Sequence, residues 1–384
     1  MTDTLDTVVI GGGAMGSATA WALARQGRSV TVLERFAPGH AFGASHGATR
    51  NLSLGYSNDT YLAMLAEAIP AWDTIEAESS TTLLARTGVV SHGPDRAYPA
   101  IHDALRAAGF EAEFLSLDEA SERWSGIRWD TQVLSLPQGG QINADATLPA
   151  LQGIAIAHGA VVRHETRVLE LEVISDTDVK LTIESAGGVE TLHARTVVVT
   201  AGAWTSKLLA GVVSLPRLYV TQEQPAHFAI MDDAASWPGF NHRFTPGDAG
   251  YDYWYSAIYG MHTPGEGIKA GWHAVGDIVD PDNRSFTAEP VQLAALQRYA
   301  RDWLPGVDAD SLVDVSCTYT MTEDENFILD RIGPIVIGAG FSGHGFKFTP
   351  VIGRILADLV TGASAAPAMF AAGRTASGSL FKIS

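Results

Sequence analysis

The chain has 384 residues, 46% hydrophobic and 18% charged, which allows a large buried core and favours two domains over one. With 43 acidic against 25 basic residues the formal net charge is −18, a field that repels phosphate backbones and anionic membranes and argues against both as partners. The single cysteine, Cys317, excludes an intrachain disulfide and a cysteine-based zinc site, and no metal is expected. No apolar run is long enough for a bilayer span. The start MTDTLDTVVIGGG lacks the basic region of a secretory signal, and the end, Phe381-Lys382-Ile383-Ser384, is not a peroxisomal address. The expected location is cytoplasmic.

In chain order, the β-branched run Thr7 to Ile10 predicts a buried parallel strand, followed by a Gly-rich turn over Gly11 to Gly16. Ser17 to Gln26 carry an alanine-rich helical pattern closed by Gly27, and Ser29 to Leu33 give a second strand ending at Glu34. Residues 60–78 place Leu62, Leu65, Ile69 and Trp72 at helical spacing. From 85 to 145 and again from 218 to 320 the pattern changes to aromatic-rich strands, among them His227 to Ile230 and Tyr251 to Tyr255, separated by loops such as 246–250. Val161 to Val173 and Val197 to Gly202 return to buried-strand character. Ile335 to Ala339 form a last strand, and a Gly-rich turn leads to a helix over Thr349 to Leu359 closed by Thr361-Gly362. The fold class predicted is α/β. A Rossmann-like dinucleotide domain is built from 1–84, 146–217 and 321–384, and an antiparallel β-sheet substrate domain is inserted twice, as 85–145 and 218–320.

Gly11-Gly12-Gly13-Ala14-Met15-Gly16 matches G-x-G-x-x-G between a strand and a helix. Gly11 permits the tight turn, Gly13 lets backbone approach a pyrophosphate, and Gly16 lets the helix pack on the strand. Ala14 and Met15 open the helix whose N-terminus faces the anion. Glu34, ending the next strand, suits a ribose diol and disfavours a 2′-phosphate. The fingerprint alone does not choose between NAD and FAD.

Three further motifs bear on that choice: Gly43-Ala44-Ser45-His46-Gly47-Ala48-Thr49-Arg50, Val199-Thr200-Ala201-Gly202-Ala203-Trp204 and Gly338-Ala339-Gly340-Phe341-Ser342-Gly343-His344-Gly345-Phe346-Lys347-Phe348. Together, in this order over essentially the whole chain, they resemble the monomeric sarcosine oxidase family within the D-amino-acid-oxidase-like flavoproteins. Fructosyl amino acid oxidases are close relatives of that family.

The resemblance implies FAD, linked covalently through a cysteine thioether at the place of Cys317 in Ser316-Cys317-Thr318-Tyr319. It implies that a neutral secondary amine gives a hydride from the carbon beside nitrogen to flavin N5. The imine then hydrolyses, and O₂ is reduced to hydrogen peroxide. Lys269 matches the lysine that assists O₂ reduction with its positive charge. Lys347 matches the residue that binds the substrate carboxylate; His344, from the same Gly-rich turn, and His273 are further catalytic candidates, with a supporting role behind the pocket as the alternative for each. Arg50 matches an arginine packed near the flavin. The implied cofactor contacts also include Arg35, Ser45, Val168, Gly202, Trp204, Gly343, Gly345 and Phe346, and Tyr259 is placed among the substrate contacts. A monomer acting on a small amino acid is implied.

One position departs from the family pattern. Three residues after Arg50 the family has a second arginine that clamps the carboxylate; this chain has Ser53. Serine replaces neither its charge nor its reach. The consequence is either a weaker carboxylate site resting on Lys347 or a larger substrate that fills the vacated space, for which the aromatic loop 251–255 and Tyr259 could line a wide pocket; the expected substrate is an N-substituted amino acid, N-methyl, N-alkyl or N-glycated (fructosyl). The alternatives are a flavin-dependent dehydrogenase using an acceptor other than O₂, an NAD-dependent reductase sharing only the fingerprint, and a flavin-bearing subunit without catalysis.

Overall fold

The computed structural model describes residues 4–232, 236–245, 247–376 and 380. Residues 1–3 and 381–384 of the two ends considered for targeting signals, and Pro246 of the loop 246–250, lie outside the described residues.

A parallel sheet forms where β-branched runs are flanked on both sides by helices. Leu5–Ile10 pairs in parallel with Val30–Leu33 on one side and with the end of Gly188–Val199 on the other. Val161–Arg163 extends the sheet beyond Val30–Leu33, and Ile335–Ala339 extends it beyond Val199. The first half of Gly188–Val199 instead closes an antiparallel meander with Arg167–Ser175 and Asp178–Ser185. The helix Ala14–Arg25 begins at the fingerprint and packs on the last helix, Thr349–Thr361. A Cβ on Gly353 would stand 2.6 Å from the Ala18 backbone, so small residues on both helices permit the approach. Gly362, at φ +73°, ends the last helix in the left-handed region.

A second eight-stranded sheet runs Val307–Asp314, Ala226–Ile230, Gly267–Trp272, Ile258–Thr263, Gly239–His242, Val89–His92, Val133–Leu136 and Glu113–Leu115. It is antiparallel except where Gly239–His242 runs parallel to Val89–His92, a mixed pairing that the alternation pattern did not reveal. Two short ladders bridge the sheets: Thr49–Leu52 with Gly140–Asn143, and Tyr219–Glu223 with Cys317–Met321. The helix Asp59–Ser79, capped by Asn58, buries Leu62, Leu65 and Trp72, and Ile69 lies at the margin of that core. Among the described residues no helix is long and apolar enough to cross a membrane.

Three local expectations are corrected. Tyr251–Tyr255 is a turn, not a strand: Trp254 N–H donates to Tyr251 O at 3.1 Å, and both rings fold inward against His242. Val161–Val173 is two strands rather than one buried run, and the second is a sheet edge exposing Leu169 and Val173. The stretch 85–145 contains the helices Tyr98–Ala107 and Leu117–Arg123 among its strands, the latter begun by a Ser116/Glu119 capping box.

At the parallel pairing His242 stands opposite His92, and the two imidazoles lie against each other, centroids 3.7 Å apart and planes tilted by 31°. Trp129, Trp254 and Trp303 enclose them. Burial alone holds His92 down to about 3, and burial with the His92 neighbour holds His242 well below the usual 6.5. Both are neutral when folded, whereas the unfolded chain protonates them as pH falls through about 6.5. Their contribution is therefore complete above pH ~6.5 and is lost as pH falls toward the folded values. Unfolding free energy from urea titrations is expected to drop by about 2.7 kcal/mol per pH unit between pH ~6 and ~4 from this pair. A slope near zero across that interval would contradict a neutral imidazole pair.

Candidate functional site

One cavity of about 930 Å³ extends from the fingerprint turn to Lys347, with walls from both large sheets and both bridging ladders. Every individually predicted catalytic, cofactor or substrate residue borders it except Gly16, whereas of the loop 251–255 only Tyr255 does. Gly16 acts one layer behind, where a Cβ would fall 1.8 Å from Gly11 O. Gly11 itself has φ +99° and lies against Thr200 O, where a Cβ would approach to 2.5 Å.

At the nucleotide end, Ser45 Oγ accepts the Ala14 N–H at 3.1 Å beside the bare Gly13. The first turn of helix Ala14–Arg25 carries no acid, so nothing there opposes an anion at its N-terminus. Glu34 is buried and accepts N–H groups from Gly12 at 2.7 Å and Phe36 at 2.9 Å, which fixes its carboxylate toward the cavity. Arg35 lies over Phe36 and Trp204, paired to Asp282 at 2.8 Å; the Trp204 indole N–H donates to the same carboxylate. Val168 and Gly202 line the same cavity. Side-chain-free turns, an acid-free helix start and a carboxylate fixed beside them fit the diphosphate and ribose of a dinucleotide.

In the middle section Arg50 is wired to carbonyls, donating to Ala44 O at 2.8 Å, His46 O at 2.5 Å and Thr49 O at 2.9 Å. Its guanidinium stands 5.5 Å from the Phe346 ring centre. His46 joins this loop to the Cys317 strand through Ser316 O at 3.0 Å. Lys269 projects from Gly267–Trp272, is 7% exposed, and donates from Nζ to Thr49 O at 2.7 Å. Burial, aided by the Arg50 charge, pulls its ammonium down to about 7. Cys317 is half-buried at the start of its strand, in the same cavity wall.

At the far end, Lys347 sits in the short turn Phe346–Phe348 and is 6% exposed. Its Nζ donates to His344 O at 2.9 Å and to the Tyr56 hydroxyl at 3.1 Å. Tyr56 Oη in turn meets His344 Nδ1 at 3.0 Å, and His344 Nε2 meets Glu325 O at 3.0 Å. The Trp72 indole donates to Lys347 O at 2.9 Å, holding the turn from behind. Gly343 and Gly345 let the turn close over Tyr319 and Phe341, where a Cβ would approach to 2.3 Å and 2.7 Å. Burial lowers Lys347 to about 7. His273 is held near 4 by burial first, then by the charges of Arg243 and Lys347. Tyr259 and Tyr319 are hydrogen-bonded to each other and pushed up by burial. Ser53 Oγ accepts from Asn241 Nδ2 at 3.3 Å.

Of the aromatic loop, Tyr255 borders the cavity with Tyr259, whereas Tyr251 and Trp254 pack around His242. Tyr56, Tyr319 and Arg243 are cavity residues that sequence reasoning did not single out. None lies in a recognisable motif except Tyr319, two residues after Cys317.

Comparison with known proteins agrees with this geometry. A family model described as FAD dependent oxidoreductase matches residues 6–359. The chain is 35% identical over 379 residues to the peroxisomal sarcosine oxidase of Mus musculus, with 93% of this chain and 92% of the relative covered. It is 32% identical over 379 residues to a monomeric sarcosine oxidase of Bacillus sp. (strain NS-129), with 94% of each covered. Among solved structures, the open form of NikD, an unusual amino acid oxidase essential for nikkomycin biosynthesis, superposes with a TM-score of 0.83 at 28% identity, covering 98% of this chain and 100% of that one. The chain thus belongs to the FAD dependent oxidoreductase family, as an FAD-dependent oxidase of a C–N bond in an amine or amino acid with O₂ as acceptor.

Proposed function

We propose that the enzyme oxidises an N-substituted α-amino acid, bound as its secondary amine with the carboxylate on Lys347. The observation that carries this reading is a buried cation without an acid: among the described residues Lys347 meets only a hydroxyl, a carbonyl and aromatic faces. An ammonium kept from water in this way is strained toward neutrality, and an incoming carboxylate restores its charge. Tyr56 and His344 orient it; His344 is kept neutral by burial and the Lys347 charge. The positive charges lining the cavity lower the pKa of a bound amine, favouring the neutral form whose lone pair assists loss of hydride. FAD held along this cavity would supply the hydride acceptor and the route for electrons to O₂.

Lys269 is positioned for the second half of the reaction. Thr49 O fixes its ammonium, and its burial beside Arg50 concentrates positive charge where an anion forms from O₂. Cys317 is the residue for a covalent flavin link, in the same cavity as Lys269 and Arg50. Ser53 and Asn241 offer neutral hydrogen-bonding groups, which suits N-alkyl or N-glycated substrates better than sarcosine, whose binding depends on its carboxylate.

Two outcomes follow. Lys269→Met should slow reoxidation of reduced enzyme by O₂ about 100-fold in stopped flow while sparing flavin reduction by substrate. In wild type that reoxidation rate should fall as pH rises through about 7, where the ammonium loses its proton. Equal loss in both half-reactions would contradict a role confined to O₂. Acid-precipitated wild-type protein should stay yellow and Cys317→Ser should release its flavin; colour lost from both would exclude the link.

A further inference from the structure

Arg243 is a cation of the cavity that the reading above does not use. Its backbone N–H donates to His92 O at 2.9 Å, extending the pairing of Gly239–His242, so it leaves the sheet on the same side as Asn241 two residues earlier. Both side chains border the cavity, and the Asn241 amide reaches Ser53, the position where the resembled family carries its second arginine. A guanidinium is therefore present on this wall, but displaced by two residues along the strand.

Its anchoring is specific. Nε lies 3.1 Å from Asp95 Oδ2, and the Asp95 side chain is 1% exposed and fixed by the Ala97 N–H on its other oxygen at 2.8 Å. Among the described residues the remaining N–H edge of the guanidinium has no other acceptor, and the side chain retains 19% exposure. Arg243, Lys347 and His273 line the same cavity, and after burial the two cations help hold the His273 imidazole down.

We propose that Arg243 forms a second anion subsite, so that the substrate is an N-substituted amino acid carrying a second acidic group. This rests on Lys347 holding the α-carboxylate. Asp95 holds Arg243 by an ion pair at Nε without a hydrogen bond to its Oδ2, and the terminal N–H groups are left for a carboxylate, which a guanidinium can take with two parallel hydrogen bonds. A neutral sugar hydroxyl makes poorer use of that fork.

The test titrates the purified holoenzyme by calorimetry with two non-oxidisable ligands, glutarate and butyrate. Glutarate should bind about 10-fold or more tightly, the worth of one charge-assisted contact. Arg243→Gln should abolish the difference and Arg243→Lys retain part of it. Asp95→Asn combined with Arg243→Gln serves if the single variant folds poorly, since it leaves no unpaired buried carboxylate. In turnover, N-methylglutamate should exceed N-methylglutamine in kcat/KM by a similar factor, chiefly through KM, and the gap should close in Arg243→Gln. Equal affinities for the two ligands, a preference that survives Arg243→Gln, or a better kcat/KM for fructosyl-valine than for N-methylglutamate would overturn the subsite. Glutarate selectivity dependent on Arg243, with no flavin reduction by any N-substituted amino acid, would uphold the subsite and reject the amine reading.

Discussion

Lys347 is buried to 6% exposure in a chain of net charge −18, yet among the described residues its ammonium has no carboxylate partner. Acids are abundant elsewhere, so the arrangement is a property of the cavity rather than of composition. Burying an uncompensated charge is costly and persists only where other interactions hold the group in place. Here the support is the turn Phe346–Phe348, pinned by Trp72 from one side and by the last helix from the other. The parallel sheet, the long helix Asp59–Ser79 and the closing helix all converge on this one side chain.

The same logic extends along the cavity. Lys269 reaches a carbonyl rather than an acid, Arg50 is satisfied by three carbonyls, and Arg243 shares one Nε contact with a buried Asp95. Lys269, Lys347 and Arg50, tied to neutral acceptors, keep most of their field and offer an anion local positive charge in a negative molecule. On the proposed reading, this local charge favours an anionic substrate and the anion formed from O₂ against the global field. Imidazoles in the cavity are correspondingly neutral: His273 and His344 are both pushed down by burial and by neighbouring lysine charge.

Much of this was legible in the sequence wherever local chemistry dictates geometry. The fingerprint is read from spacing because Gly11 and Gly16 each occupy a position that a Cβ would block. Lys269 and Lys347 were reached through motifs, since an isolated lysine carries no mark of burial. What escaped depends on tertiary packing. Tyr56 becomes part of the site only because the last helix brings His344 beside it, 288 residues away in sequence. Arg243 is ordinary in its local sequence, and its place follows from the parallel pairing of Gly239–His242 with Val89–His92, which period-two alternation does not encode. The loop Tyr251–Tyr255 misled because aromatic residues suit both strands and turns; burial around His242 decided for a turn.

The central claim is that the buried cations of this cavity bind an amino acid carboxylate and present its secondary amine for oxidation. The most direct measurement is anaerobic mixing of the holoenzyme with a panel of N-methyl amino acids against the matching N-methylamines that lack the carboxylate. The account predicts bleaching of the oxidised flavin absorbance by the amino acids and little by the amines, with Lys347→Met erasing that distinction. Bleaching by the amines as fast as by the amino acids, or unaltered discrimination in Lys347→Met, would contradict it.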